Sequence, residues 1–327
     1  MSRLAVALLV LVCAAGGAQA REFAARMLAF HPASATLVLV RGREGGVRLV
    51  DFGNPAKPLE REISAEAQAA SFVGDGARIA LGEKGRIRVV SLDGKSAGAD
   101  VEASKEPIIA AAVSPREQAV ALLDQKLGLQ VWDWRDGAVR RRWQAVLDRT
   151  TDYCIAGDVA FAPDESAVAA ITCFNNVHVR TLAGRAVAVP RGRDGYESCC
   201  GVRIAFSPDG RYLVARRGAQ PGWSAYLWTY RGGALSGGRE FPGTEFARDI
   251  AFLKGSRDVI VLDNSGLRRV DPLAPRRATT ILEISAQETE AMAVSADGAR
   301  LAMIEGDNAI TYRAAGGMLL GRIELRR

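Results

Sequence analysis

The sequence predicts an all-β fold, a seven-bladed β-propeller built from four-stranded antiparallel blades. Three observations lead there. A phrase typified by "IAFSPDGRYLVA" (residues 204–215) recurs along the chain. Its copies are evenly spaced. Each copy also repeats one internal order of short alternating segments and turn residues, without helical periodicity.

The copies are "MLAFHPASATLVLV" from Met27, "AASFVGDGARIAL" from Ala69, "AAAVSPREQAVALL" from Ala110 and "DVAFAPDESAVAAI" from Asp158. They continue with "RIAFSPDGRYLVA" from Arg203, "DIAFLKGSRDVIVL" from Asp249 and "AMAVSADGARLAMI" from Ala291. Phe30, Phe72, Val113, Phe161, Phe206, Phe252 and Val294 hold equivalent anchor positions, spaced 42, 41, 48, 45, 46 and 42 residues apart. In each copy the anchor strand runs into a Pro-Asp-Gly type of turn. Pro presets φ there and Gly accepts a positive φ. A second strand of small and branched residues follows, as in Leu213-Val214-Ala215. A loop leads to an alternating third strand: "GVRLVD", "GRIRVVS", "GLQVWDW", "NVHVRT", "AYLWTY", "GLRRVD" and "AITYRA" in turn. A more polar fourth strand, such as "AVRRRWQAV" from Ala138, closes the unit.

One four-stranded sheet buries only part of its apolar surface. Seven sheets packed face to face around a ring bury both faces of each and leave only short edges. An open β-solenoid would need shorter repeats and polar caps, and none is seen. The "AFSPDG" hairpins, and Val131-Trp132-Asp133 at the third strand of copy three, give the chain its likeness. It resembles the WD40-like and quinoprotein amine dehydrogenase-like seven-bladed propellers over residues 25–325. No Gly-His dipeptide occurs and only one copy has Trp-Asp, so the resemblance is to the broad superfamily. It implies a disc with a central channel and does not imply a reaction. Either 318–325 supplies the last strand of blade seven, or 22–26 pairs there.

The N-terminus reads as a secretory signal over residues 1–20. Arg3 precedes the apolar run "LAVALLVLVCAA", and Ala18-Gln19-Ala20 offers a small-x-small cleavage site. Val12 stands before Cys13 where lipid attachment needs a small residue. Cleavage after Ala20 leaves 21–327 as a single propeller domain, periplasmic or secreted. No later run approaches the ~20 apolar residues of a membrane span. The net charge of +6 comes mostly from scattered arginines, with short clusters at 140–142 and 276–277. That is a solvated surface and no nucleic-acid footprint. The disc is expected to be a monomer.

Signatures of chemistry are sparse. The two histidines, His31 and His178, fall in copies one and four, too far apart for one metal site. No HExxH, GxSxG, GxGxxG, Walker A, EF-hand or CxxCH motif occurs. No catalytic residue, metal ligand or cofactor is assigned. Trp132, Trp134, Trp143 and Trp228 fall on strands and are expected to pack between blades. Trp223 lies in "ARRGAQPGWSAY", read as a long loop, where an aromatic beside arginines suits a contact.

Beyond the signal, Cys154, Cys173, Cys199 and Cys200 remain, an even number that suits disulfides in an oxidising compartment. On the blade plan all four gather on one rim, at blades four and five. A bond between Cys199 and Cys200 would strain the peptide joining them. A Cys154–Cys173 bond is easy but leaves the adjacent pair only each other. The expectation is two cross-bonds, each of Cys199 and Cys200 taking one of Cys154 and Cys173. A soft-metal site is the less favoured use of these thiols, because the spaced CxxC of metal sites is missing.

The widest spacings fall in the same region. Their loops bring Asp152, Tyr153, Arg193, Asp194, Tyr196, Glu197, Arg216, Arg217 and Trp223 to this rim, as candidate ligand contacts. The expected function is a non-catalytic platform for a protein or peptide partner. A second reading stays open: a propeller enzyme or small-ligand binder, lactonase-like or dehydrogenase-like, using this rim or the channel mouth.

Overall fold

The computed structural model describes residues 25–325, save 43–44, 117, 136–137, 149–153, 155, 191–202, 220–221, 241–243, 245, 254–255, 275–276, 284–288 and 307. Among the described residues there are 28 strands and no helix. Blade 1 comprises β1 (Ala25–Phe30), β2 (Leu37–Gly42), β3 (Val47–Asp51) and β4 (Leu59–Ser64). Blade 2 is β5 (Ala69–Val73), β6 (Arg78–Glu83), β7 (Arg86–Ser91) and β8 (Ser96–Glu102). Blade 3 is β9 (Ile108–Val113), β10 (Ala119–Asp124), β11 (Gly128–Arg135) and β12 (Ala138–Val146). Blade 4 is β13 (Asp158–Phe161), β14 (Ala167–Ile171), β15 (Val177–Thr181) and β16 (Ala186–Val187). Blade 5 is β17 (Arg203–Phe206), β18 (Tyr212–Ala219), β19 (Gly222–Arg231) and β20 (Ala234–Glu240). Blade 6 is β21 (Asp249–Phe252), β22 (Val259–Asp263), β23 (Gly266–Val270) and β24 (Thr279–Glu283). Blade 7 is β25 (Thr289–Val294), β26 (Arg300–Glu305), β27 (Ala309–Ala314) and β28 (Leu319–Glu324).

Every sheet is antiparallel, with its strands in chain order. From blade 2 round to blade 1 the first strands of neighbouring blades touch one another, so they line the axis. The repeat anchors end these inner strands: Phe30, Val113, Phe161, Phe206, Phe252 and Val294 are last residues, and Phe72 is next to last. The "SPDG" phrase is a hydrogen-bonded turn. Ser207 Oγ donates to Asp209 Oδ1 at 2.6 Å and accepts from the Tyr212 amide at 2.9 Å, while Gly210 takes φ +69°. Ser295 and Asp297 repeat the arrangement in blade 7.

Apolar cores lie between blades. Leu39 and Leu49 of blade 1 meet Ile79 and Leu81 of blade 2. Ile260 and Leu262 of blade 6 meet Met292 and Met303 of blade 7. Burying one such side chain contributes about 1.5–3 kcal/mol. Trp132, Trp134, Trp143 and Trp228 all join these inter-blade cores, as expected. Trp143 also donates to Leu182 O of the next blade at 2.9 Å.

The ring closes without strand exchange. Blade 7 takes its outer strand from 319–324, the first of the two closures expected, and β1 pairs with β2 in blade 1. Leu28, Val40 and Phe52 of blade 1 pack on Ile304, Ile310 and Tyr312 of blade 7. Phe52 and Tyr312 stack with centroids 4.6 Å apart, and Tyr312 Oη donates to Ala35 O at 2.8 Å.

Candidate functional site

Loops leaving second strands and connectors entering first strands share one face, called the top. Cys154 and Cys173 form a disulfide there, with Cα atoms 5.7 Å apart. This corrects the expected cross-bonds to Cys199 and Cys200. The reason is strand register: Asp158 of β13 pairs with Ile171 of β14, so the chain just before one strand faces the chain just after the other. That separation lies within the usual disulfide range. The bond therefore braces blade 4 upon itself. Cys199 and Cys200 lie outside the described residues, as do Asp152, Tyr153, Arg193, Asp194, Tyr196 and Glu197.

Arg216, Arg217 and Trp223 do not lie in a long loop. Arg216 and Arg217 belong to β18 and Trp223 to β19, in one continuous hairpin. The ladder runs through Arg217↔Ser224, Gly218↔Trp223 and Ala219↔Gly222. The branched and aromatic residues of "WSAYLWTY" sustain pairing past the ordinary strand length. Blade 5 thus carries second and third strands of 8 and 10 residues, where blade 6 has 5 in each. Arg217 Nε donates to Asn175 O of blade 4 at 3.0 Å, and its guanidinium lies 4.9 Å from the Tyr226 ring. Arg216 is buried.

Beside this hairpin stands a residue the sequence reading missed. Phe246, on the connector from blade 5 to blade 6, is 41% exposed and has φ +94°. A bulky residue at positive φ is a backbone outlier. The connector is anchored two residues earlier, where Thr244 Oγ1 accepts from the Ala225 amide at 3.2 Å.

The channel mouth carries a second group the sequence reading passed over. Asp158, Arg203 and Asp249 are the first residues of inner strands β13, β17 and β21. Arg203 grips Asp249 with Nε to Oδ1 at 2.8 Å and Nη2 to Oδ2 at 2.9 Å, and reaches Met292 O at 3.1 Å. Asp249 also accepts the Ile250 and Met292 amides, both at 2.8 Å. Asp158 repeats the pattern on the Val159 and Ile204 amides, both at 3.0 Å. Each carboxylate thus clips its blade to the next. From blade 1, Arg41 crosses to Ile109 O of blade 3 at 2.9 Å. Burial raises the Asp158 carboxyl above its ordinary pKa, against the pull of Arg203. Burial, with Arg26 nearby, pushes the Arg41 guanidinium down to about 10. Burial alone would lower Arg203, but the Asp249 charge lifts it above the usual value.

Eleven residues after each anchor, at the end of the second strand, a further ring appears: Arg41, Glu83, Asp124, Thr172, Arg217, Asp263 and Glu305. The acids cap the blade tops, drawing donors from the preceding blade or connector and from their own blade. Ser64 Oγ donates to Glu83 at 2.5 Å and Ser104 Oγ to Asp124 at 2.8 Å. Arg88 pairs with Glu83, Arg268 with Asp263 and Arg313 with Glu305. In blade 4 the polarity is swapped. Thr172 donates to Asp148 of the connector at 2.8 Å, and Asp148 also bonds His178 Nε2 at 3.1 Å. Burial raises the Asp148 carboxyl, but its bonds to His178, Thr172 and Asn176 win and hold it below the ordinary value. Arg41 and Arg217 break the acidic ring and turn to other blades.

His31 sits away from all this, in the first hairpin of blade 1. Its ring meets Phe72 edge-on at 5.1 Å, and its Nδ1 accepts from the Ala33 amide at 3.1 Å. Among the described residues no three His, Cys, Asp or Glu side chains are grouped to hold a metal ion. No helix there is long and apolar enough to cross a membrane.

No family model matches the chain, and no curated protein matches it. The resemblance drawn from the "AFSPDG" hairpins stands at the level of the fold, seven four-stranded antiparallel blades in a ring. The Cys154–Cys173 bond is compatible with an oxidising compartment.

Proposed function

We propose that the chain is an exported, non-catalytic platform that binds a protein or peptide partner on the top rim of blades 4 to 6. One observation carries this reading: the blade 5 hairpin outruns its counterpart in blade 6, beside the disulfide-braced blade 4 and the exposed, strained Phe246. Long elements on a rigid frame and aromatic residues in contact patches are where binding energy concentrates. The remaining rim candidates, Asp152, Tyr153, Arg193, Tyr196 and Glu197, belong to this proposal by sequence position.

Affinity purification from the native host tests it. Wild-type protein, W223A and F246A serve as bait, with quantitative mass spectrometry as the readout. A partner retained by wild type and lost at least tenfold with W223A or F246A supports the reading. A partner held equally by all three baits, or none above background, would overturn it.

A second reading, a small-ligand binder or propeller enzyme, has its own support in the buried Asp249 and the half-buried Arg203 and Asp158 at the channel mouth. Perturbed ionisable groups in a cleft are candidates for chemistry. Every oxygen of Asp158 and Asp249 is already taken by a protein donor, however, which favours a structural role.

A further inference from the structure

A groove of about 560 Å³ opens on the top face between blades 2 and 3. That volume is within the range of small-molecule sites. Its walls are the connector 102–106, the turn after β10, and the end of β12. It lies apart from the rim of blades 4 to 6.

Three of its residues differ from their counterparts elsewhere in the ring. In blades 2, 6 and 7 the acid that ends the second strand is matched by an arginine of its own blade. In blade 3 that acid, Asp124, is instead satisfied by Ser104 Oγ at 2.8 Å and by the Lys126 and Gly128 amides at 3.0 and 2.8 Å. The arginine of blade 3 that lines the groove, Arg141, forms no ion pair among the described residues. It is nonetheless held in place, 5.5 Å from the Trp132 ring, with Nη1 3.4 Å from Gln130 Oε1.

Gln130 is only 1% exposed. Its Oε1 accepts from Trp132 Nε1 at 3.1 Å as well as from Arg141. Two donors fix the amide's orientation, since the alternative would set its NH2 against them. The Nε2 donors have no protein partner among the described residues, and the residue lines the groove. An amide donor in so confined a residue, without a protein acceptor, is one that a bound oxygen would satisfy. Gln130 and Arg141 together are donors waiting for a carboxylate. On the connector wall Glu102 and Glu106 outnumber Lys105, while Lys126 lines the turn after β10.

We propose that this groove binds a small zwitterion, an α-amino acid or the end of a short peptide. The carboxylate is received by Arg141 and the Gln130 amide, and the ammonium by Glu102 and Glu106. The site goes beyond the platform reading and uses none of its residues.

Calorimetric titration at neutral pH and low salt tests this with L-alanine, trialanine, N-acetyl-trialanine and trialanine amide. The expected result is binding of L-alanine or trialanine. Binding weakens roughly ten- to hundredfold in trialanine amide and in R141A, the range of a charge-assisted pair. N-acetylation weakens it severalfold. R141K, which keeps charge and stem but loses the planar fork, falls between, and serves if R141A does not fold. W223A binds as wild type, which separates this site from the rim. L-alanine binding without trialanine identifies a free metabolite-sized ligand; the reverse identifies a chain end. The proposal is overturned if neither zwitterion binds at about 10 mM, ten times the concentration of a millimolar Kd. It is equally overturned if the amide, or R141A, binds as well as the wild-type pair.

Discussion

Removing the Asp249 carboxylate should be among the costliest single changes at the axis. Its side chain is 5% exposed and that of its partner Arg203 is 16% exposed. D249A deletes four hydrogen bonds at 2.8–2.9 Å: two from Arg203 and two from the Ile250 and Met292 amides. It leaves a guanidinium charge in a largely buried site. Breaking such a pair from one side costs about 3–5 kcal/mol. At roughly 2–4 °C per kcal/mol for chains of this order of size, the melting point should fall by about 6–20 °C. The internal control is Arg86–Asp100, of similar length at 2.8 Å but with both side chains about half exposed. D100A should cost under ~1 kcal/mol. Replacing both axial partners, R203M with D249L, should be milder than D249A alone, because no charge is then left buried. Urea unfolding followed by circular dichroism gives each difference from the midpoint and slope. The reasoning fails if D249A lies within ~1 kcal/mol of wild type, or if D100A costs as much.

Three further outcomes are expected. Peptide mapping under non-reducing conditions should recover Cys154 linked to Cys173, and C154S with C173S should lose about 3 kcal/mol, the value for a closed loop of this order; recovery of either cysteine bound to Cys199 or Cys200 would refute the pairing. G266A should cost about 3 kcal/mol, since Gly266 has φ +131° and an added Cβ would lie 2.0 Å from Leu282 O, whereas G232A, with φ +56° and open space around it, should cost about 1 kcal/mol. Burial lowers the pKa of His31, with Gly76 and Asp75 opposing. The unfolded chain therefore binds the proton first on acidification, and stability that is complete above the ordinary imidazole value near 6.5 should decline as pH falls below it. H31Q should flatten this part of the urea-midpoint profile, and an unchanged slope would refute it.

The architecture was legible because the repeat is dictated by local chemistry. Anchor, turn and small-branched strand must recur wherever a blade needs an inner hairpin, and the anchors fall at or beside the ends of the inner strands. The third strands were equally plain, since their alternation is the pleat itself. What escaped depends on strand register and on how connectors are tied down. The Cys154–Cys173 bond follows from register across one hairpin, while counting cysteines favoured a solution that left none adjacent and unpaired. Trp223 looked like a loop residue because Gly218, Pro221 and Gly222 stand close by in sequence; Gly218 pairs with Trp223 and Ala219 with Gly222 all the same. The ring eleven residues past each anchor was present in the sequence, but acids, a threonine and two arginines share it, and residue identity alone hides a position defined by geometry. Phe246 left no local signal, because its exposure arises from how the connector is tied down at Thr244.

The seam between blades 7 and 1 makes the disc a strip bent into a hoop and held by contact alone. Among the described residues neither a shared strand nor a covalent link joins its two ends; stacked rings and interlocked side chains do. Six other joints hold those ends at high effective concentration, so the seventh closes without needing great strength of its own. The same arrangement sets how the hoop gives way. Prising apart the Phe52–Tyr312 stack opens one joint and turns a circle into an arc with its blades intact.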